Sequence, residues 1–206
     1  MQSIRPNLIY LKSEPWIDLI HPSIIIVTGS PAAGKSTLAK WLSQELKLPL
    51  VSKDTIREEL FDRLGWKDRK WAQELGKASV DMMFYFAKAS LQVGHSIIMD
   101  NSFCPPISNP RFQALKEQNN AESIQIVCDA DPETLFKRFK SRADSGNRHP
   151  GHGDQVVLQE LYVSLADTSS SVLDIGGEVI EVDTTDFAKI DYQKILEKVK
   201  SWLLSR

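Results

Sequence analysis

The segment from Ser23 to Leu42 constrains the fold of this chain more than any other part of the sequence. Four consecutive apolar residues, 24–27, have the length and composition of a short buried β-strand. The eight residues GSPAAGKS at 29–36 match the pattern Gly-x-x-x-x-Gly-Lys-Ser/Thr at every fixed position. Leu38, Leu42 and Leu46 then recur at the spacing of one helix face. A strand, a glycine-rich loop and a helix in this order are typical of a site that holds the phosphates of a nucleoside triphosphate.

The residues of this loop have separate expected tasks. Glycines let backbone N–H groups converge on the phosphates, and the positive end of the helix dipole adds to the attraction. We expect Lys35 to reach the β- and γ-phosphates and the Ser36 hydroxyl to bind Mg²⁺. The predicted nucleotide-binding residues are Gly29, Ser30, Pro31, Ala32, Ala33, Gly34, Lys35, Ser36 and Thr37.

Along the rest of the chain, short apolar runs alternate with stretches of helical periodicity. Strands are predicted near 24–28, 48–52, 96–100, 124–128 and 178–182. Helices are predicted at 35–46, from Thr55 onwards, and near 68–92, 108–119, 132–143, 155–166 and 192–203. This alternation predicts an α/β fold with a parallel sheet covered by helices on both faces. The carboxyl ends of the strands would then bring the loops at 29–36, 52–57 and 100–105 to one edge.

Length and composition narrow the class of protein. The 206 residues, 42% of them hydrophobic, suffice for one domain with a sizeable core. We expect residues 1–22 to form an N-terminal extension and 23–206 to form the domain. A targeting segment and an apolar run of about 20 residues are both missing, which predicts a cytoplasmic protein outside the membrane. The net charge of −2 does not favour binding to long nucleic acids.

Asp100 ends an apolar strand, where a carboxylate can hold or orient Mg²⁺ through water. The alternative is a turn former, because Asp-Asn is common in turns. Position 101 is Asn, whereas many mechanical ATPases have a water-activating glutamate there. A guanine-reading Asn-Lys-x-Asp sequence is also missing from the chain. Both observations disfavour a motor or a GTP switch.

Asp54 follows the second predicted strand and suggests a proton acceptor. Its carboxylate could take the proton of an acceptor hydroxyl while Arg57, one turn on, holds an anionic group of that acceptor. The alternative for Asp54 is a helix cap, although Thr55 and Glu58 are predicted to form a capping box by themselves. The alternative for Arg57 is an exposed ion pair with Asp54 or Glu58.

Arg138 and Arg142 lie four residues apart on the helix that enters the polar, glycine-rich stretch 144–154. Such arginines suit a lid, about 138–154, that closes over the phosphates and excludes water. The alternative is an ordinary solvated basic face. His149, His152 and Asp154 imitate a metal site, but without a fourth ligand we expect them to be polar lid residues.

Four segments together resemble the P-loop kinase-like ATPases: GSPAAGKST, SKDTIREEL, IIMDNS and CDADPETLFKRFKSRADSGNRHPGH. This group includes 5′-hydroxyl polynucleotide kinases, zeta toxins, chloramphenicol phosphotransferases and gluconate kinases. The resemblance extends over about residues 23–185. It implies a three-layer α/β/α P-loop NTPase fold, with a five-stranded parallel sheet in the order 2-3-1-4-5.

The same resemblance implies ATP with Mg²⁺ as cofactors and transfer of phosphate to a hydroxyl. By position, Asp54 matches the catalytic acid of the family and Arg57 its acceptor-binding arginine, while Arg138 and Arg142 match its lid arginines. Together with Lys35, these residues form the expected catalytic and acceptor-binding set. Ser36 and Asp100 form the expected metal site.

The sequence thus predicts an ATP-dependent kinase whose acceptor is a small hydroxyl-bearing metabolite or nucleotide. A 5′-hydroxyl end of a nucleic acid is a rival acceptor, disfavoured by the acidic balance of charge and favoured by Arg57 and the basic stretch 137–148. A regulatory ATP-binding module with slow hydrolysis is the rival from another class.

Overall fold

A computed structural model describes residues 21–154, 158 and 172–205. Most of the predicted N-terminal extension and of the predicted helix at 155–166 lies outside these residues. The division of the chain into an extension and one domain therefore stays a prediction.

Five strands form one parallel sheet, as the alternation of elements predicts. They are β1 (Ser23–Gly29), β2 (Leu50–Ser52), β3 (Ile97–Asp100), β4 (Glu122–Asp129) and β5 (Glu178–Asp183). Their order is β2-β3-β1-β4-β5, and each neighbouring pair is parallel. The predicted order 2-3-1-4-5 is confirmed.

Six α-helices surround this sheet within the described residues. They are α1 (Lys35–Leu46), α2 (Lys53–Leu64), α3 (Arg69–Gln92), α4 (Pro105–Asn119), α5 (Pro132–Ser145) and α6 (Tyr192–Leu204). Two 3-10 helices, Pro150–His152 and Phe187–Lys189, lie in the loops. None of the described helices is both long enough and apolar enough to cross a membrane.

The central strand β1 shows why the helices form two layers. Residues 24–27 are fully buried, and successive side chains point to opposite faces of the sheet. Ile25 and Val27 belong to a core built with α1, α5 and α6. Ile24 and Ile26 belong to a second core built with α3 and α4. The sheet is therefore covered on both faces, and the predicted three-layer α/β/α arrangement is confirmed.

The predicted capping box at Thr55 is wrong. Helix α2 begins at Lys53, directly after β2, so Thr55 lies inside its first turn. Ser52 occupies the N-cap position, but its side chain caps no N–H group of the helix. Its hydroxyl instead donates a hydrogen bond to Asp100 Oδ2 at 3.0 Å. The strand runs into the helix without a loop, and the side chain at the N-cap position binds the neighbouring strand instead of the helix.

Candidate active site

The loop between β1 and α1 has the backbone that a phosphate-binding loop requires. Gly29 and Gly34 have φ values of 127° and 78°, which glycine adopts far more readily than other residues. A Cβ on Gly29 would lie 1.8 Å from the carbonyl oxygen of Cys128 in β4, and one on Gly34 would lie 2.8 Å from the ring of Phe187. Gly29 is therefore needed for close packing against β4 as well as for the turn, and Gly34 is needed for the turn.

Lys35 points back into this loop. Its side chain is buried, and Nζ donates a hydrogen bond to the carbonyl oxygen of Ser30 at 2.6 Å. Burial lowers the pKa of Lys35, while the negative charge of Asp100 opposes this shift. The ammonium group is thus held beside the loop amides, where the β- and γ-phosphates are expected.

Asp100 lies at the carboxyl end of β3, between β1 and β2, and is 3% exposed. Its Oδ1 atom is buried and has no hydrogen-bond partner among the described residues. Burial raises the pKa of Asp100, whereas the hydroxyls of Ser36 and Ser52 lower it. An unpartnered carboxylate oxygen beside a hydroxyl fits Mg²⁺, which prefers hard oxygen ligands.

Asp54 lies in the first turn of α2 with its side chain 40% exposed. Lys53 Nζ contacts Oδ1 at 3.1 Å, and Arg148 donates a hydrogen bond to Oδ2. Burial by itself would raise the pKa of Asp54, but Lys53, Arg148 and His152 outweigh it and hold the pKa well below its usual range. Asp54 is not the N-cap of α2, and its carboxylate is ionised near neutral pH.

Arg57 does not form the exposed ion pair considered as its alternative role. Its Nη2 donates a hydrogen bond to the carbonyl oxygen of Ala72 in α3 at 2.8 Å. The guanidinium lies 5.0 Å from the centroid of the Phe61 ring. Its Nε is buried without a partner among the residues described. The side chain is thus anchored from α3 and retains an unused donor.

Arg138 and Arg142 share α5 but have different partners. Arg138 lies 3.6 Å above the centroid of the Phe187 ring, and its Nη2 donates a hydrogen bond to the carbonyl oxygen of Thr185 at 3.0 Å. Arg142 Nε donates to Asp154 Oδ2 at 3.2 Å, and the charge of Arg142 contributes to the lowered pKa of Lys35. Arg142 is therefore held by Asp154, and Arg138 by the loop after β5.

Part of the stretch 144–154, residues 148–152, is packed against α2. His149 Nε2 lies 3.1 Å from Asp62 Oδ1, and His152 Nε2 lies 2.7 Å from Glu58 Oε1. Because the two histidines take separate carboxylates of α2, they do not form a metal site with Asp154. No group of three metal-ligating side chains occurs in the part of the chain that the structure describes.

Arg148 is a site residue that the sequence placed only in the predicted lid and in the basic stretch 137–148, without a role of its own. Its Nη1 donates a hydrogen bond to Asp154 Oδ1 at 2.7 Å, while its Nη2 donates to Asp54. The only indication in the sequence is its position beside the histidines in GNRHPGH.

One cavity of about 740 Å³ joins most of these groups. Of the predicted residues, its lining includes Pro31, Ala32, Gly34, Lys35, Ser36, Thr37, Asp54, Arg57, Asp100, Arg138 and Arg142. Gly29 and Ala33 are buried beneath the loop and, like Ser30, are not part of the lining. The same cavity is thus lined by the phosphate loop and by Asp54 with Arg57 of α2.

Residues 24–164 match a family model described as the AAA domain, a P-loop kinase family. The chain belongs to this family. Its fold is the α/β fold of P-loop NTPases.

Several known proteins similar to this chain are described as kinases. A crystal structure from Chloroflexus aurantiacus, described as a "putative kinase", is 37% identical with a TM-score of 0.79, and the match covers 88% of this chain and 98% of that one. Shikimate kinase from Rhodopirellula baltica is 27% identical over 70% of this chain and 73% of its own length. L-seryl-tRNA(Sec) kinase from Methanococcus maripaludis is 25% identical over 85% of this chain and 64% of its own length. At the level of the family, the chain is thus a kinase.

Proposed function

We propose that this protein transfers the γ-phosphate of ATP, in the presence of Mg²⁺, to a hydroxyl group of a small metabolite or nucleotide. The observation that carries the proposal is the single cavity in which an ionised carboxylate, Asp54, faces the same space as the phosphate loop. Phosphoryl transfer needs mainly positioning and charge stabilisation around the transferred group, and this cavity supplies groups for both.

The phosphate end of the cavity would hold ATP through the loop amides and Lys35. Mg²⁺, when bound, neutralises charge on the β- and γ-phosphates. Ser36 and the unpartnered Oδ1 of Asp100 would hold this ion. Arg142 would add positive charge near the transferred group.

Arg138 and Phe187 suit the base of ATP better than its phosphates. The stacked guanidinium and ring lie beside Gly34, and both side chains line the cavity. A planar guanidinium stacks well on aromatic rings. We therefore assign Arg138 to binding of the base and Arg142 to the phosphates.

At the acceptor end, Asp54 would take the proton from the hydroxyl that attacks phosphorus. Its lowered pKa makes it a weak base. A weak base suffices because the hydroxyl becomes strongly acidic as its oxygen bonds to phosphorus. The guanidinium of Arg57, which lines the cavity, would bind an anionic group of the acceptor.

A 5′-hydroxyl end of a nucleic acid is a second candidate acceptor. Lys53, Lys67 and Arg69 also line the cavity, so its acceptor end is rich in cations. Binding of an oligonucleotide would then weaken steeply with salt, because phosphate contacts release counterions. A salt titration with a short 5′-hydroxyl oligonucleotide separates this acceptor from a small metabolite.

The proposal is tested by incubating the protein with γ-labelled ATP and a metabolite pool and identifying the labelled product. Asp54→Asn is the decisive variant. We expect transfer to fall about a hundred- to ten-thousand-fold, while ATP affinity and melting temperature stay near those of the wild type. A rate within about threefold of the wild type would show that Asp54 is not the proton acceptor. A regulatory module would bind ATP and yield no labelled product.

A further inference from the structure

Three acidic residues of α2 are spaced four apart and therefore form one stripe along the helix: Asp54, Glu58 and Asp62. Each is paired with a residue of the stretch 148–152, here called the 148–152 segment. The partners are Arg148, His152 and His149 in the same order. The segment thus lies along three successive turns of the helix.

Phe61 fixes this segment by packing. The ring is 1% exposed, stacks on His149 at a centroid distance of 5.2 Å, and meets His152 edge-on at 5.7 Å. Gly151 lies so close to the ring that a Cβ there would be 2.6 Å from Phe61 Cδ2. Polar contacts with the acidic stripe and close packing on Phe61 therefore hold the segment against α2.

Arg148 connects this segment to Asp54. Its two terminal nitrogens bind two different carboxylates, Asp54 and Asp154, so the plane and direction of the guanidinium are set. Asp154 is itself held by Arg142. On the other side of Asp54, Lys53 contacts the second carboxylate oxygen. The carboxylate is therefore oriented from both sides, while its exposed edge faces the cavity.

We propose that Arg148 is a positioning residue that aims the carboxylate of Asp54 into the cavity, and that docking of the 148–152 segment on α2 holds Arg148 in place. The inference rests on the proposed function, in which Asp54 takes the proton of the acceptor.

The opposite role would be a block, in which Arg148 covers Asp54 and must leave before an acceptor binds. Leaving would separate Arg148 from Asp154, and if the segment moved with it, both histidines would leave Phe61. Asp54 also keeps 40% of its side chain exposed while Arg148 is bound. A carboxylate has acceptor sites for further donors. An acceptor hydroxyl can thus reach Asp54 with Arg148 in place.

The test compares Arg148→Met, which keeps the length of the side chain and removes the charge, with Lys140→Met, which removes an exposed charge from α5. The first measurement is the titration of the Asp54 carboxyl by ¹³C NMR, assigned with Asp54→Asn. The groups that interact electrostatically with Asp54 include Lys53, Arg148, His152, Lys35, Arg57, Asp100 and Arg142. Only the Arg148 variant should move the Asp54 titration to higher pH.

The second measurement is release of ADP from Mg·ATP with water as the acceptor, a reaction that needs no identified substrate. Arg148→Met should lower kcat about a hundredfold, since misplacing a catalytic group by about 1 Å costs that much. The KM for ATP and the melting temperature should stay near those of the wild type. Guanidinium ion added to Arg148→Ala should restore part of the rate, which a merely structural role does not predict. Arg148→Lys, which keeps the charge but loses the planar fork of donors, should give an intermediate rate.

The outcomes separate the proposals. An unchanged Asp54 titration in Arg148→Met overturns the positioning role, and a raised kcat overturns it in favour of a block. If Arg148→Met does not fold, the Asp54 titration and kcat of Arg148→Lys decide in the same way. A wild-type rate equal to that of Lys35→Met would show only that water is not an acceptor; the titration would then decide by itself whether Arg148 holds Asp54, and the proposed function would stand or fall with the labelled product.

Discussion

A single added methyl group should displace the 148–152 segment. In Gly151→Ala, the new Cβ would lie 2.6, 2.7 and 2.8 Å from three carbons of the Phe61 ring. Real Cβ atoms essentially never come that close to another heavy atom. The ring has little room to retreat, because it is 1% exposed and has His149, His152 and the guanidinium of Arg57 around it. We therefore expect the segment to move away from α2.

The size of this effect follows from the cost of overpacking a buried site, about 1–3 kcal/mol. If the overpacking destabilises only the state in which the segment lies on α2, the equilibrium constant for local opening of residues 148–153 rises roughly 5- to 150-fold. Hydrogen exchange of the backbone amides there should accelerate by that factor, while exchange in β1 and β4 stays as in the wild type.

The control is Gly153→Ala. Gly153 has a left-handed φ of 64°, and a Cβ added there would meet no atom of the described residues within 4 Å. The cost of this variant comes from the backbone and not from Phe61. Phe61→Leu should therefore relieve part of the effect of Gly151→Ala and none of the effect of Gly153→Ala. Equal exchange in Gly151→Ala and the wild type, or no relief by Phe61→Leu, would refute the packing of the segment on Phe61.

Lys35→Met should abolish transfer from labelled ATP in a folded protein, because it removes the point charge expected between the β- and γ-phosphates; wild-type activity would exclude Lys35 from the site. Gly29→Ala should lower the free energy of unfolding, measured with urea, by more than about 3 kcal/mol, because the added Cβ would collide with the Cys128 carbonyl. A decrease of less than about 1 kcal/mol would contradict that contact. Hydrogen exchange in the 148–152 segment, corrected for intrinsic rates, should be faster at pH 5.5 than at pH 7.5. Burial lowers the pKa of His152 when the segment is docked on α2, although Asp54 and Glu58 oppose this shift. His152 therefore binds a proton more readily when the segment has left α2. Protonation below about pH 6.5 should thus weaken docking. His152→Gln should reduce this difference, and equal exchange at both pH values would contradict it.

Residues that are neighbours in sequence were predictable. The strand, loop and helix at 23–46 follow from an apolar run, two glycines and leucines at helical spacing, and the structure has β1 and α1 where the pattern places them. Asp100 and Asp54 come after strands, and parallel strands end at one edge, so both reach the same cavity. The order of the strands came from the resemblance of four segments to a known family, because periodicity alone does not determine which strands are neighbours.

Sequence reasoning failed where a side chain had two competing partners. Ser52 was expected to precede a helix capped by Thr55, but its hydroxyl binds Asp100, 48 residues further along the chain. Arg138 and Arg142 were treated as a pair because they share α5 at a spacing of four. Their partners lie on different loops, since Arg138 contacts Thr185 and Arg142 contacts Asp154.

The sequence by itself determined the class of fold, the phosphate loop and the carboxylates at the sheet edge, because each depends on spacing within one or two elements. Only the tertiary structure decided that Arg148 binds Asp54 and that the two histidines pack on Phe61. Arg148 and Asp54 are 94 residues apart, as are His152 and Glu58. The stretch GNRHPGH is polar and rich in glycine, so its own residues predict a loop. It packs because a complementary stripe of acids and a buried ring on α2 lie opposite it, and the fold alone brings those surfaces together.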